Sequence, residues 1–315
     1  MEKTINILGR PFSITDRDES AYLTGVSKDF EADTLATFTA VCAPRFNVLD
    51  IGANIGLTAI ALGSVCSKGK VFAIEASPET FKYLQQNIAG CRLGNIVCEN
   101  MAASSAPGEL MLSHPRHFSA GGFISQKYRV VGHDHLRYSV HACPVDDYLD
   151  KIGVKRIDFI KIDVEGFELE VLRGARRTIE RSKPIIYCEV NHWCLNVLQR
   201  VCLPDFIEEI FTFCPHVFAI NSDLHYLDLS EHAALHKFYH DHTTKFHFLN
   251  LLCGFDKEAL IAKLASLAFS DESAAKCHAR RSASDAFVNS GSWRHAAPLR
   301  PLRVLKRYLV GPRVK

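Results

Sequence analysis

The residues with the clearest chemical potential are two acids, each at the end of a short apolar run. Asp50 lies in the run Val48–Ile51, which then turns through Gly52 and Gly56 into a second apolar segment. Glu75 ends the next run, 25 positions further along the chain. A carboxylate can accept hydrogen bonds from both hydroxyls of a ribose. The pair therefore predicts a site for a nucleoside ligand with a cationic end, such as S-adenosylmethionine.

A nicotinamide dinucleotide is the main alternative ligand for a glycine-rich turn after a strand. Its pyrophosphate requires the G-x-G-x-x-G pattern, whose second glycine allows close approach of the backbone. Asn54 occupies the position of that second glycine, and Asp50 would repel a pyrophosphate. The sequence therefore favours the methyl donor over the dinucleotide, with a purely structural turn as the remaining interpretation.

Alternating strands and helices must position these acids. The apolar pattern predicts a three-layer α/β sandwich with helices on both faces of the sheet, and it leaves residues 104–141 as loop. The predicted strands are 47–51, 70–75, 96–99, 157–162, 184–190, 216–220 and 246–251, with helices at 31–41, 56–65, 78–89, 146–151 and 166–181. Ligands in such folds bind at the carboxyl ends of the strands.

Four of these predicted strands end in an acid, namely Asp50, Glu75, Asp163 and Glu189. An acid just past a strand also serves as a helix N-cap, so each of them alone has a structural alternative. Together they predict one acidic site at one edge of the sheet.

Composition limits the classes of partner. The 315 residues carry a net charge of +2, but the segment after residue 290 holds seven Lys or Arg residues and no acid, so the rest is mildly acidic. This balance excludes a nucleic-acid footprint on the body of the protein. The eleven cysteines form no C-x-x-C pair, and neither a signal-type segment nor a bilayer-length apolar run is present. We therefore expect a cytoplasmic protein.

Several pieces of the chain together resemble FkbM-type S-adenosylmethionine-dependent methyltransferases, over about residues 30–256. They are VLDIGANIGLTA (48–59), VFAIEASPETF (71–81), CPVDDYL (143–149), IDFIKIDVEGFELEVLRGA (157–175), PIIYCEVN (184–191) and NLLCGF (250–255). The resemblance implies a Rossmann-like class I methyltransferase fold, with a seven-stranded, mostly parallel sheet and an antiparallel last strand. It also implies O-methylation of a sugar or another small hydroxylated compound. The expected division is 1–46 for N-terminal strands and a helix, 47–256 for the methyltransferase domain and 257–315 for a basic extension.

The resemblance assigns the donor site by motif matching. The implied donor-binding residues are Asp50, Gly52, Ala53, Asn54, Gly56, Glu75, Ala76, Met101, Ala102 and Asp163.

O-methylation requires removal of the hydroxyl proton, by a general base or with the help of a metal. The candidate bases beside the strand ends are Asp163, Glu189 and His192, the last three positions after Glu189. The carboxylates of Asp163 and Glu189 are also hard oxygen ligands that could together hold a divalent metal. The sequence leaves this alternative open and does not commit to a metal site. No His or Cys cluster has the spacing of a zinc site.

A second, shorter resemblance lies in the basic tail. The stretch SGSWRHAAPLR (290–300) is similar to the S-x-SWR-x-TAPLR tail of some bacterial glycosyltransferases and glycan-modifying enzymes, with Ala296 in place of Thr. It implies a surface polysaccharide or its precursor as acceptor. Residues 291–315 then either contact the inner face of a membrane or a glycan-assembly partner, or dock on the protein's own body, or form a disordered end.

Two other functional classes stay open. A nucleic-acid methyltransferase is disfavoured by the acidic body and by the absence of an Asn/Asp-Pro-Pro-aromatic motif. A non-catalytic methyltransferase-fold module in a glycan assembly complex is disfavoured by the intact donor motif.

Overall fold

The computed structural model describes residues 1–18, 20–115, 119–128 and 135–268. Its strands are β1 (Glu2–Ile7), β2 (Arg10–Thr15), β3 (Val48–Ile51), β4 (Val71–Glu75), β5 (Ile96–Asn100), β6 (Ala102–Ala103), β7 (Gly108–Pro115), β8 (Phe123–Ile124), β9 (His135–Cys143), β10 (Phe159–Ile162), β11 (Ile185–Glu189), β12 (His216–Ile220), β13 (Tyr226–Asp228) and β14 (Asn250–Gly254). Its α-helices are α1 (Ala21–Gly25), α2 (Ala32–Val41), α3 (Leu57–Val65), α4 (Pro78–Gly90), α5 (Val145–Lys151), α6 (Glu168–Gly174), α7 (Arg176–Ser182), α8 (His192–Cys194), α9 (Leu203–Phe213), α10 (His232–Lys245) and α11 (Lys257–Ala268).

The central sheet has the strand order β13-β12-β14-β11-β10-β3-β4-β5 within the described residues. The pairs from β11 through β10, β3 and β4 to β5 are parallel, and β14 is antiparallel to both of its neighbours. This confirms the predicted Rossmann-like α/β fold with an antiparallel last strand. The difference is an eighth strand, β13, which forms a hairpin with β12 at the sheet edge.

The buried side chains of the central strands alternate between two hydrophobic cores, one on each face of the sheet. Leu49 and Ile160 face the core that helices α5, α6, α7, α9 and α10 cover. Val48 and Phe159, one position earlier in each strand, face the core beneath α2, α3, α4 and α11. Because successive side chains of a strand point to opposite faces, both faces of these strands are apolar and need helices.

The prediction of loop for residues 104–141 is wrong. In the part of this segment that the structure describes, β7 and β9 pair antiparallel along eight registered residues. With β6 and β8 they form a second, four-stranded sheet beside the central one. One face of this sheet is exposed to solvent, so its strands contain few apolar residues. They also contain Pro and Gly residues, which are typical of loops, and the sequence pattern therefore indicated loop.

The helix predicted over 166–181 is divided into α6 and α7. Gly174 lies at the junction, where a Cβ atom would come 1.9 Å from the carbonyl oxygen of Ser104. The last strand begins later than predicted because α10 extends to Lys245. Phe246 and Phe248 then adopt φ angles of 53° and 56°, which end the helix and turn the chain toward β14.

The N-terminal segment is tied to the body by Asn87 of α4. Its Nδ2 atom donates to the carbonyls of Thr15 and Ile55 at 2.9 and 2.8 Å, and its Oδ1 accepts from the Thr15 amide at 2.8 Å. Asn87 is buried, so these bonds are shielded from water. One side chain thus joins the β1–β2 hairpin to the loop that precedes α3.

The region predicted as a basic extension begins with packed structure. In α11, Leu260, Leu264 and Leu267 are buried against the core beneath α2, and the Lys263 ammonium donates to the Val41 carbonyl at 3.0 Å. The predicted domain boundaries stay predictions, but residues 257–268 pack with the body. The tail at 291–315 lies outside the described residues, and no described helix is long and apolar enough to cross a bilayer.

Candidate functional site

A cavity of about 550 Å³ opens at the carboxyl ends of β3, β4, β10 and β11. The second sheet and the segment around α2 form its other walls. This volume is in the range of sites that bind cofactors or small molecules. Its position agrees with the rule that α/β sheets bind ligands beyond the carboxyl ends of their strands.

The loop between β3 and α3 approaches the end of β10 very closely. Gly52 has a φ of +77°, and a Cβ atom there would come 1.8 Å from the Asp163 carbonyl oxygen. The amides of Gly52 and Ala53 both donate to the Ile74 carbonyl at 3.0 Å. Only glycine satisfies both the conformation and the contact. The loop is therefore fixed against β4 and β10 at once.

Glu75 lies at the end of β4 and faces the cavity. Its Oε2 accepts from the Asn54 amide at 2.9 Å, and its Oε1 accepts from the Ser77 amide at 2.8 Å. Burial raises the pKa of this carboxyl to about 7, against the effect of the two amides. A carboxylate has about four acceptor sites, so each oxygen keeps capacity for a ligand hydroxyl.

Lys161 is a buried cation that the sequence analysis missed. Its Nζ donates to the Gly52 carbonyl at 2.9 Å and lies 3.4 Å from Asp50 Oδ1 and 3.5 Å from Asp163 Oδ2. Burial alone would lower its pKa, but the carboxylates of Asp50, Asp163 and Glu189 outweigh burial and raise it. The sequence did contain a signal for this role, namely a lysine in the middle of an apolar strand. A buried charge without a partner is very costly, so such a lysine indicates an ion pair with a nearby acid.

Asp50 and Gly56 do not line the cavity. Asp50 is fully buried behind the loop, where its Oδ2 accepts from Thr58 Oγ1 at 2.7 Å and its Oδ1 faces Lys161. Gly56 is the left-handed residue before α3, facing Leu84. Of the other predicted donor residues, Gly52, Ala53, Asn54, Glu75, Ala76, Met101, Ala102 and Asp163 all line the cavity.

The structure brings Asp163 and Glu189 together, and their side chains are hydrogen-bonded. Burial and the nearby Asp163 charge raise the pKa of Glu189 well above its ordinary value. Burial would also raise the pKa of Asp163, but Lys161 and the bond with Glu189 outweigh it and lower the pKa. Two adjacent carboxyl groups share one proton in this way. Of the two, Asp163 is therefore the stronger acid and the better candidate for a general base.

His192 is not brought to the cavity. Its ring packs against His242 and Phe246, with centroids 5.0 and 4.8 Å away. Burial lowers its pKa, and its Nδ1 is buried without a hydrogen-bond partner in the described part of the chain. The structure therefore does not support His192 as the base, because its ring belongs to a packed aromatic cluster.

His242 in that cluster should make folding stability depend on pH. Burial, and then the neighbouring His192, lower its pKa to about 4, against about 6.5 in an unfolded chain. The unfolded state then binds more protons between these values, so stability is lost as pH falls from 6.5 toward 4. We expect His242→Phe to reduce the loss between pH 7 and 4.5 by about 2–3 kcal/mol in urea titrations. The exposed His247→Gln should show the wild-type loss, and an unaltered slope in His242→Phe would contradict this assignment.

Glu165 and Glu168 follow Asp163 but differ in location. Glu168 is buried and accepts from the Gly166 amide at 2.9 Å, and burial raises its pKa to about 7. Glu165 lines the cavity and accepts a bond from the Cys194 thiol at 3.2 Å. Glu168 thus shapes the turn after β10, whereas Glu165 contributes a carboxylate to the site. Across the described residues, no group of three or more His, Cys, Asp or Glu side chains is arranged to hold a metal ion.

The family model of the methyltransferase FkbM domain matches residues 50–216, which is more than half of the chain. The chain belongs to the FkbM methyltransferase family. This confirms the family predicted from the sequence and, at the level of that family, a methyl-donor cofactor. The match ends within the central sheet, before β14 closes it.

Two curated relatives of this FkbM chain are known by their activities. The hexuronic acid methyltransferase AglP of Haloferax volcanii is 30% identical over 138 residues, which are 44% of this chain and 53% of that protein. The 2-O-methyltransferase NoeI of Sinorhizobium fredii is 27% identical over 156 residues, 46% of this chain and 63% of that protein. The chain thus spans between half and two thirds of the length of these relatives.

Among solved structures, methyltransferase FkbM from Methylobacillus flagellatus is similar at 22% identity, over 56% of this chain and 40% of that one. The superposition has a TM-score of 0.38, which is too low to support conclusions about function.

The residues of this FkbM domain fit S-adenosylmethionine. Glu75 offers acceptor sites for ribose hydroxyls, and the close approach of Gly52 to the Asp163 carbonyl fixes the loop that lines the cavity beside it. The Oδ1 of Asn54 is buried without a partner in the described residues, so it is available to a donor group of the ligand. Acidic side chains of the family domain, among them Glu75, Asp163 and Glu165, line the cavity, which favours a cationic ligand.

Proposed function

We propose that this protein is an S-adenosylmethionine-dependent O-methyltransferase that acts on a sugar hydroxyl of a surface polysaccharide or glycan precursor. The observation that carries the proposal is the hydrogen-bonded pair of Asp163 and Glu189, which lines one cavity together with Gly52 and Glu75. The cavity thus contains a candidate base, Asp163, beside the donor site that family membership supports.

The sugar acceptor is supported by the relatives. One of them is named for methylating a hexuronic acid and another for 2-O-methylation. Both coverages fall short of two thirds of the relative, so the exact acceptor is not transferred from either of them. The name of NoeI specifies transfer to an oxygen, and a hexuronic acid also carries hydroxyls. Transfer to a hydroxyl requires a base, for which the cavity offers Asp163.

The protein's residues divide the work between donor binding and proton removal. When bound, S-adenosylmethionine supplies an electrophilic methyl group. Glu75, Asn54 and the Gly52 loop hold it. The Asp163 carboxylate would take the proton of the acceptor hydroxyl as that oxygen accepts the methyl group. Lys161 keeps Asp163 charged until that moment.

The proposal is tested by radiolabelled methyl transfer from S-adenosylmethionine to cell-surface glycans and lipid-linked sugars. We expect label in a hydroxyl-bearing glycan and none with the Asp163→Asn variant. Donor binding without transfer to any member of the panel would favour a non-catalytic module in a glycan assembly complex. Transfer to a non-sugar metabolite, with no transfer to any sugar, would show that the acceptor is another small hydroxylated compound.

Glu75→Ala should weaken binding of S-adenosylmethionine at least tenfold in calorimetry. Each hydrogen bond to a charged group contributes about 1.5–3 kcal/mol, and the variant loses those to the ribose. Glu99→Ala is the matched control, since Glu99 lies on the adjacent strand β5 and does not line the cavity. Equal donor affinity in Glu75→Ala and wild type would remove Glu75 from the donor site.

The predicted contact of residues 291–315 with a membrane surface or assembly partner lies outside the described residues. It stays a prediction, as does the placement in the cytoplasm at the inner face of a membrane.

A further inference from the structure

One wall of the cavity comes from outside the family domain. We call it the N-terminal wall. It consists of Tyr22, Phe30, Glu31, Asp33, Thr34 and Phe38, which all line the cavity. The match to the family model begins at residue 50. The wall is thus a part of the site that family membership does not assign.

The wall is fixed to the strands that carry the reaction centre. Phe38 is fully buried, and its ring packs edge-on against Phe159 of β10 and Tyr187 of β11, with centroids 5.7 and 5.5 Å away. These strands lead directly to Asp163 and Glu189. Such aromatic contacts are well-defined in geometry, so α2 holds a set position relative to the two carboxyl groups.

The carboxyl groups of the wall line the cavity, and the Glu31 carboxyl does not cap helix α2. Glu31 precedes α2 with a φ of 6° and makes no side-chain cap to the helix. Its Oε2 instead accepts from Thr34 Oγ1 at 3.1 Å. Glu31 lines the same cavity as Asp163 and Lys161.

The remaining charges of the cavity are also acidic. Glu165 lies beyond Asp163, and the one lysine among the described lining residues, Lys161, is already engaged by Asp50, Asp163 and the Gly52 carbonyl. An anionic group placed between these acids and the wall would meet like charges on both sides. Hydroxyl and ammonium groups would instead find acceptors.

The second sheet supplies an aromatic surface to the same cavity. Phe123 is flanked there by Tyr128 and His135, with ring centroids 6.1 and 6.2 Å from its own. Flat aromatic faces bury the C–H face of a sugar ring, and carboxylates accept hydrogen bonds from its hydroxyls. The two walls together match a polyhydroxylated ring without negative charge.

We propose, building on the proposed function, that the N-terminal wall selects the acceptor. Glu31 and Asp33 accept hydrogen bonds from hydroxyl or ammonium groups of a neutral or amino-bearing sugar. They disfavour sugars that carry a carboxylate, sulfate or phosphate next to the methylated hydroxyl.

The test compares methyl glycosides of a neutral hexose, an amino sugar and a hexuronic acid. Their binding is measured by ligand-observed NMR in the presence of S-adenosylhomocysteine, so the result does not depend on turnover. We expect the wild type to bind the neutral or amino sugar at least tenfold more tightly than the uronate. The double variant Glu31→Gln, Asp33→Asn should reduce that ratio at least fivefold, with unchanged affinity for the donor product.

Asp29→Asn is the matched control. Asp29 is an exposed acid two positions before Glu31, is bonded to the Asn6 side chain, and does not line the cavity. A wild type that binds the uronate as tightly as the neutral sugar would overturn the inference, and so would a double variant with the wild-type ratio. Failure of the proposed function is separate, because it appears as absent methyl transfer while sugar binding is still measured.

Discussion

Asp163→Asn should lower methyl transfer at least 100-fold. A positioned general base contributes about 10²–10⁴ to the rate, and an amide cannot take the hydroxyl proton. The Asn side chain keeps the shape of the site, and the Asp163 side chain is 39% exposed, so the fold should persist. The measurements are initial rates at saturating donor, with circular dichroism and urea titration to establish that the variant is folded.

Glu168→Gln is the control for the loss of a nearby acid. Glu168 bonds to the amides of Gly166 and Val164 and does not line the cavity. We expect its turnover to stay within a few-fold of wild type. If Glu168→Gln reduced turnover as much as Asp163→Asn, the reaction centre would have to be placed elsewhere.

Lys161→Met should destabilise the protein by about 3–5 kcal/mol, because it leaves the fully buried Asp50 without its cationic partner. The variant also loses the bond to the Gly52 carbonyl, so donor affinity should fall in parallel. Urea unfolding monitored by circular dichroism gives the first quantity, and calorimetry gives the second.

A second substitution separates charge from packing at this position. Asp50→Asn combined with Lys161→Met removes the unpaired carboxylate and should recover part of the lost stability. Lys70→Met, at an exposed lysine before β4, should change stability by less than about 0.5 kcal/mol. A loss below about 1 kcal/mol in Lys161→Met would show that the buried ion pair contributes little to folding.

The central sheet was predictable because its parallel strands are apolar on both faces. Runs such as Val48–Ile51 and Phe159–Ile162 then stand out from the amphipathic helices between them. The acids at the strand ends were predictable for the same reason, since Glu75, Asp163 and Glu189 each interrupt such a run. The eighth strand was not, because β13 spans only Tyr226–Asp228 and depends on its pairing with β12.

The second sheet and parts of the site depend on contacts distant in sequence. The strand β9 alternates between exposed and buried positions and lies among Pro, Gly and His residues, so local composition indicated loop. The contacts of Lys161 with Asp50 and the Gly52 carbonyl form only because β3 and β10 are neighbours in the sheet, which the sequence does not show. Glu31 and Asp33 join the cavity only through the packing of α2. His192 was misplaced because sequence gives its distance from Glu189 but not the direction of its ring.

The contact between Gly52 and the Asp163 carbonyl also bears on how such enzymes can be re-engineered. The Gly52 loop and Asp163 are held as one unit, because any side chain at Gly52 would collide with the Asp163 carbonyl. The N-terminal wall comes from one contiguous stretch of chain. It contacts the strands of this unit through Phe38 of α2, which packs on Phe159 and Tyr187. A chimaera that exchanges residues 20–46 between family members would therefore replace the proposed acceptor-facing surface, provided that it keeps the contacts of Phe38 with Phe159 and Tyr187.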